Sequence, residues 1–516
     1  MTPLLITLLA CTTLAPRGPG AGANTSDTDT TLTDPTPSTT DPTDYEPFAP
    51  APATLHRLTD AQYRNATEDL LGIRYEGALP VDYSLHGYKS VGAAELGVSP
   101  VEFEEYEAAS WVLAEATFPD VAAVEAFLGA PYHRDEVAAV LPGILRKAWR
   151  RPAEPDEIDR LLLLADELEP AHGEVIAMQG LTAALLQAPD FLFRVEVGTA
   201  DATDPDLRWL DDYELAARLA FFLTDRPPDD ALLDAAERGE LTNGNGLEEQ
   251  AERLLATSDA RTALSHWFDE TLELDKIDDL DKDATLYPEL ADLLPDMHAE
   301  ISELFETTAY DADADLTELL TTSTAYASPE LAEAIYGVES SDGPFPLPSS
   351  QERGGVLGRA GILAVGAHNT VTSPTHRGKL VRTRLLCGSV PPPPPGVVTE
   401  ISDANEGSLR DKLEQHATDP QCKGCHDMMD PIGFGLERFD PIGRWRADDN
   451  GYAIDTTGEV DGLTFDGGAA LGEAIAQHPD FPGCMAAQLY RHAVGHAELA
   501  SELGTLADIT DSYVAD

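Results

Sequence analysis

The sequence predicts a mainly α-helical protein in which multi-helical domains precede a small C-terminal module with a short β-hairpin. Three observations support this fold class. Helix-start signals recur along the chain, whereas runs of alternating Val, Ile and Thr are scarce and the best strand candidates fall within residues 451–466. Apolar residues make up 42% of the chain, which is enough to build packed cores.

Start signals place the helices in order from about residue 55. Capping boxes are predicted at Thr59 with Gln62, Ser99 with Glu102, and Asp211 with Glu214. Gly72 follows the apolar stripe of the first helix, and Pro100 suits the first position of the second. Further helices are expected at roughly 135–149, 155–169, 173–189, 211–224, 229–238, 246–256, 259–273 and 287–308.

The charge balance restricts the partners that the protein can bind. The 516 residues include 93 Asp and Glu against 33 Lys and Arg, a formal net charge of −60. Such a polyanion repels phosphate backbones and anionic headgroups, so the composition argues against nucleic acid as a partner. It predicts a basic or cation-bearing protein partner instead.

The first residues, MTPLLITLLAC, resemble a bacterial lipoprotein signal, in which an apolar stretch and a small residue precede a lipidated cysteine. We therefore expect acylation of Cys11 and a firm anchor in the outer membrane, on its periplasmic or cell-surface side. The alternative is a truncated or mis-started signal peptide with an incidental cysteine. The Thr/Asp/Pro-rich stretch that follows predicts a disordered tether and an extracytoplasmic location.

Shifts in composition and proline-rich linker sequences divide the chain into seven segments. They are a signal peptide (1–10), a tether (11–50), an N-terminal helical domain (51–130), two further helical domains (131–200 and 201–340), a motif-bearing module (341–450) and a C-terminal hairpin and helix domain (451–516). The proline run 391–395 is interpreted as a stiff linker.

One motif carries specific chemistry. Cys422, Cys425 and His426 form a C-x-x-C-H sequence, the attachment signal for a c-type haem. Two thiols three positions apart can each bond one haem vinyl group, and the adjacent imidazole then becomes the proximal ligand of the iron. Three alternatives compete: a thioredoxin-type redox pair, half of a zinc site and an ordinary structural disulfide.

The roles of the other cysteines are inferred by elimination. If Cys11 carries lipid and the motif carries haem, Cys387 and Cys484 remain. An oxidising compartment favours a disulfide between them, and the alternative is two buried free thiols.

The segment HATDPQCKGCHDMMDPIGFGLERFDPIGRWR, from His416 to Arg446, resembles the haem-motif segment of the planctomycete-type cytochrome c-like secreted proteins, which also occur in myxobacteria. Upstream blocks such as LHRLTDAQYRNATEDLLG and LDDYELAARLAFFLTDRPPDD resemble the companion domains of that family, and FPGCMAAQLYRHAVGH resembles its final domain. The resemblance covers most of residues 55–500. It implies one covalent haem c in a protein whose reaction is unknown.

The identity of the second axial ligand would decide between two functions of the iron, electron transfer and the binding of small molecules. Met485, His492 and His496 share one face of a predicted helix and are the candidates, with core Met and surface His as the alternative. Met428 and Met429 lie too close to His426 in sequence to reach the opposite haem face.

Several polar residues near the motif have weaker assignments. His368 and His376 flank a polar loop and are interpreted as haem-edge, substrate or capping residues. The acidic residues after the motif, Asp430, Glu437 and Asp440, are interpreted as loop carboxylates that fix turns. Arg444 and Arg446 are interpreted as partners of these carboxylates or of haem propionates.

The leading hypothesis is an extracytoplasmic c-type haem lipoprotein that transfers electrons. One alternative is a haem-dependent oxidoreductase acting on an extracellular substrate, since the helical region before residue 340 is large for the service of one haem. Another is a non-redox surface scaffold whose Cys-x-x-Cys is a disulfide.

Overall fold

Helices dominate the architecture. The structure, a computed structural model, describes residues 45–52, 55–204, 207–312, 314–340, 343–392, 407–418 and 420–515. It is 60% helical with only small two-stranded sheets, which confirms the mainly α fold class. The predicted signal peptide 1–10, the lipidation site Cys11 and the tether up to residue 44 lie outside the described residues.

The first thirteen helices cover the region before the motif-bearing module. They are α1 (Asp60–Leu71), α2 (Lys89–Glu95), α3 (Pro100–Thr117), α4 (Val121–Leu128), α5 (Arg134–Ala148), α6 (Pro155–His172), α7 (Glu174–Leu186), α8 (Pro189–Leu192), α9 (Asp212–Thr224), α10 (Asp230–Glu237), α11 (Gly246–Leu255), α12 (Ser258–Leu272) and α13 (Leu290–Phe305). All three predicted capping boxes form, at the starts of α1, α3 and α9. Gly72 ends α1 in the left-handed conformation, with a φ of 70°.

Nine further helices follow within the described ranges. They are α14 (Glu318–Thr321), α15 (Pro329–Leu331), α16 (Ala360–Val365), α17 (Pro374–Leu380), α18 (Leu409–His416), α19 (Pro420–Gly433), α20 (Gly468–Ala476), α21 (Asp480–Val494) and α22 (Leu503–Ala515). Turns of π-helix continue three of the helices, at Glu306–Asp311, Ala332–Tyr336 and Val381–Leu385. No helix in the described ranges has both the length and the apolar character needed to cross a membrane.

Strands form antiparallel pairs. The pairs are β1 (Leu55–Arg57) with β2 (Phe193–Val195), β3 (Thr199–Ala200) with β4 (Arg208–Trp209), β5 (Thr324–Ala325) with β6 (Phe345–Pro346), β7 (Asp448–Asp449) with β8 (Tyr452–Ala453), and β9 (Thr457–Val460) with β10 (Leu463–Asp466). The last pair is a hairpin inside the predicted 451–466 segment. Its turn residues Asp461 and Gly462 both have positive φ, 47° and 90°, as a tight hairpin turn requires.

Two hydrophobic cores hold these elements together. The smaller core contains buried apolar residues from Leu58 to Leu192, together with Phe221. The larger one combines Tyr88 and Val91 with buried residues from Leu215 to Ile509. Since α9 supplies side chains to both cores, it joins the N-terminal helices to the part of the chain that carries the motif.

Backbone contact fixes α19, the motif helix, against α17. A Cβ at Gly378 would lie 1.9 Å from the Met429 carbonyl oxygen, and one at Gly433 would lie 1.8 Å from the Pro374 carbonyl oxygen. Only glycine permits this approach at either position. The buried guanidinium of Arg377 secures the turn that follows α19 by donating to the carbonyl oxygens of Leu363, Leu436, Phe439 and Asp440.

A disulfide ties the module to α21. It joins Cys387, just beyond the π-turn that continues α17, to Cys484, and the two residues are 97 positions apart in sequence. The closed loop contains the whole of α18 and α19. The covalent link therefore constrains the segment that carries the C-x-x-C-H motif.

Candidate cofactor site

The motif occupies the first two turns of α19. Both Cys422 and Cys425 carry free thiols and are partly exposed, and the Cys425 sulfur lies 3.8 Å from the Pro391 carbonyl oxygen. Helical geometry places side chains three positions apart on the same face. A Cβ at Gly424, between the two cysteines, would meet no atom of the described residues within 4 Å. At this end of α19 the described chain thus leaves space around Gly424, between two partly exposed thiols.

His426 is held by a carboxylate one turn further along the helix. Its Nδ1 lies 2.8 Å from Oδ2 of Asp430, which is buried, and Thr375 Oγ1 donates to the other carboxylate oxygen at 2.7 Å. The hydrogen bond to Asp430 raises the pKa of His426. Because a carboxylate only accepts, Nδ1 is the donor, and in the neutral imidazole the lone pair is therefore on Nε2.

This geometry corrects the sequence interpretation of Asp430. The residue lies inside α19 rather than in a loop, and its partners are an imidazole and a hydroxyl group rather than an arginine. Pro431 sits within the helix and does not end it. The spacing of four between His426 and Asp430 is the signal that could have identified the pair.

A cavity of about 460 Å³ lies beside His426, between α18, α19 and the β9/β10 hairpin. Its lining residues are Arg410, Glu414, Ala417, His426, Asp427, Asp430, Pro431, Phe434, Thr457, Gly458, Glu459 and Thr464. Among these described residues the single Arg or Lys is Arg410, whose guanidinium stacks 4.0 Å over the Phe434 ring. Its Nε is buried, makes no hydrogen bond to any described residue, and lies 3.8 Å from an Asp455 carboxylate oxygen.

His416 packs against His426 without lining this cavity, and the sequence analysis did not select it. It is the last residue of α18, and its ring centroid is 5.1 Å from that of His426, in an edge-on arrangement. The approach depends on how α18 and α19 pack, so no local pattern reveals it. The stretch from His416 to His426 therefore brings together two thiols and two imidazoles.

This set of groups allows two kinds of chemistry. The thiols are available for covalent attachment, and Nε2 of His426 is available to coordinate a metal held by the attached group. Within the described ranges, no cluster of three or more His, Cys, Asp or Glu residues could hold a bare metal ion.

Four family models match the chain, each described as a protein of unknown function. They are PSD3 (DUF1587) over residues 56–119, PSD5 (DUF1595) over 136–196, PSD4 (DUF1592) over 210–338 and PSCyt3 (DUF1588) over 353–449. These are the domains of the planctomycete cytochrome c-like proteins. The chain belongs to this cytochrome c-like family. No curated protein and no solved structure gives a significant match.

The cytochrome c-like PSCyt3 match includes α16 to α19 and the complete C-x-x-C-H motif. The candidate sixth ligands fall outside it, on α21. Met485 is buried in the larger core, and His492 packs against the rings of Tyr88 and Phe222. The Nδ1 of His496 lies 2.8 Å from the Ala497 carbonyl oxygen. None of the three lines the cavity beside His426, so the structure does not bring them to the motif.

The other residues singled out in this cytochrome c-like module have structural partners. The ring centroids of His368 and His376 are 4.8 Å apart on the surface. The N-cap of α17 is Ser373 rather than either histidine. The Asp440 carboxylate fixes a turn by accepting from the backbone N–H groups of Ile442 and Arg444. The remaining partners are side chains: Glu437 bonds to Thr372 and Arg446, and Arg444 bonds to Glu289.

Proposed function

We propose that the protein carries one covalently attached haem c and transfers electrons outside the cytoplasm. In this proposal Cys422 and Cys425 form the two thioether bonds, and His426 is the proximal ligand of the iron. The observation that carries the proposal is the His426–Asp430 hydrogen bond next to two free thiols on one helix. A coordinating histidine commonly donates its second ring N–H to a carboxylate, which fixes the ring and raises its basicity.

The residues at the site fit a haem of this type. The two free thiols have the sequence spacing of the attachment motif, and the hydrogen bond from Nδ1 leaves Nε2 of His426 as the nitrogen that would bind the iron. Apolar surface from Pro431 and Phe434 lines the adjacent cavity. The unsatisfied Nε of Arg410 supplies a buried cationic donor, which is the group that a propionate would need.

Each residue has a distinct task in this proposal. Bound haem supplies one-electron chemistry at the iron. The thioether bonds keep the cofactor attached in a compartment where a dissociating haem would be lost. Asp430 and Thr375 hold the His426 ring in one orientation with the proton on Nδ1, and the contact of α17 with α19 keeps Asp430 buried.

Location and partner complete the proposal. Acylation at Cys11 would anchor the protein to the outer membrane, since more than one acyl chain binds stably. A net charge of −60 suits a basic redox partner, and their association should slow as salt rises. An association rate that does not depend on salt would contradict this choice of partner.

The first test is a pyridine haemochromogen spectrum of the denatured protein after expression with a c-type maturation system. We expect about one covalent haem per chain in the wild type, by the stoichiometry of one motif. The double variant Cys422→Ala, Cys425→Ala should carry none. If the wild type retains no haem after denaturation, both haem hypotheses fail and the scaffold hypothesis becomes the best remaining one.

A further inference from the structure

We propose that His416 is the second axial ligand, so that the iron is coordinated by two imidazoles. The inference rests on the proposed function, because it concerns the haem held by Cys422, Cys425 and His426. It assigns a ligand that the sequence pattern placed elsewhere, on α21.

The packing of two helices brings the imidazoles together. His416 ends α18, and α19 begins at Pro420, so the chain turns sharply between them. The two ring centroids are 5.1 Å apart and the ring planes meet at 73°. Among the histidines and methionines of the described chain, His416 is the one whose ring contacts the ring of His426.

The chemical state of His416 also suits coordination. Its side chain is partly buried, and no residue of the described ranges forms a hydrogen bond with its ring nitrogens. Imidazoles elsewhere are engaged, as at His478, whose Nε2 lies 3.0 Å from Asp461 and whose Nδ1 accepts from the Asp480 N–H. An imidazole whose nitrogens have no other partner among these residues is able to coordinate iron.

The competing ligands would have to leave the core. Met485 is 3% exposed and belongs to the larger hydrophobic core. His492 lies among aromatic rings, and burial lowers its pKa to about 4. Bringing either to the motif would break the packing of α21, whereas coordination by His416 requires its ring and that of His426, now in contact, to move apart and admit the haem.

Two imidazole ligands have functional consequences. They would fill both axial positions, so small molecules would not bind the iron without displacing a ligand. Histidine in place of methionine lowers the reduction potential. The proposed site is therefore a low-potential electron carrier rather than a centre that binds and activates ligands.

Electronic spectra and electron paramagnetic resonance of the haem-loaded full chain test the assignment. We expect a low-spin, six-coordinate wild type without the charge-transfer band of a methionine ligand. His416→Ala should lose the low-spin spectrum, and added imidazole should restore it. His416→Met should remain low-spin and gain the methionine band. Gln415→Ala, at the exposed neighbouring position, is the matched control and should resemble the wild type.

The outcomes separate the two proposals. If haem is attached but His416→Ala stays low-spin, or the wild type is already high-spin, the ligand assignment is wrong and the haem proposal stands. A loss of low-spin character in His492→Phe or Met485→Leu, with His416→Ala unchanged, would overturn it in favour of α21. Absence of covalent haem from the wild type would overturn both.

Discussion

The motif end of α19 and the helix α21 differ in whether their cysteine and histidine side chains are free to react or are fixed in the core. Each carries cysteine and histidine, and the sequence made candidates of both. Cys422 and Cys425 are free and partly exposed, whereas Cys484 is buried and bonded to Cys387. His426 keeps Nε2 available, whereas His492 is enclosed by aromatic rings.

The difference shows that residue type alone does not define a cofactor site. At the motif end, two partly exposed thiols and the His426 imidazole lie on one helix, and His426 lines a cavity. On α21, the same residue types fill the core and link chain segments. We therefore expect changes on α21 to affect stability and leave the haem unaltered, and changes at the motif end to do the reverse.

The largest expected effect is loss of the disulfide. The double variant Cys387→Ala, Cys484→Ala should lower the free energy of unfolding by about 5 kcal/mol, as the chain-entropy model predicts for a loop of this length. The bond closes a loop of 97 positions, so its loss releases a long segment in the unfolded chain. Urea titration of the full chain measures the change.

The matched control is the motif pair. Without haem, Cys422→Ala, Cys425→Ala should change the free energy of unfolding by less than about 0.5 kcal/mol, because both thiols are partly exposed and unbonded. If the two double variants are equally destabilised, the contrast between α19 and α21 is wrong.

Sequence reasoning recovered what short-range patterns encode. The capping boxes of α1, α3 and α9 depend on residues three apart, and the β9/β10 turn depends on adjacent residues. The pairing of β1 with β2 joins His56 to Arg194, and no local period predicts such a partner. The C-x-x-C-H spacing selected three residues of the candidate site, whereas the approach of His416 to His426 depends on how α18 packs. Helical periodicity placed Met485 and His492 on one face but could not tell what that face meets.

The second prediction concerns the buried imidazole on α21. Burial lowers the pKa of His492 to about 4, against about 6.5 for an unfolded histidine. Between these values the unfolded chain binds the proton and the folded chain does not, so acidification favours unfolding. From pH 7 to pH 5, wild type should lose about 2 kcal/mol of stability that His492→Phe retains.

The comparison of the two chains removes the contribution of the many carboxylates, which both titrate alike. Unfolding titrations at the two pH values measure the difference, and the haem spectrum of His492→Phe should match that of wild type. Equal pH dependence in both proteins would show that protonation of His492 does not oppose folding.

The smallest expected effect lies at the motif end. Asp430→Asn should raise the reduction potential of the haem by about 60 mV, equivalent to about 1.4 kcal/mol for one electron. The anionic acceptor on His426 Nδ1 strengthens the imidazole as a ligand and stabilises the ferric iron, and a neutral amide does so less. Asp427→Asn is the control, because this substitution removes the same charge from the same helix. The Asp427 carboxylate pairs with Lys423 at 2.9 Å. Spectroelectrochemical titration gives both potentials. Equal rises would assign the effect to net charge, whereas a rise confined to Asp430→Asn would assign it to the hydrogen bond.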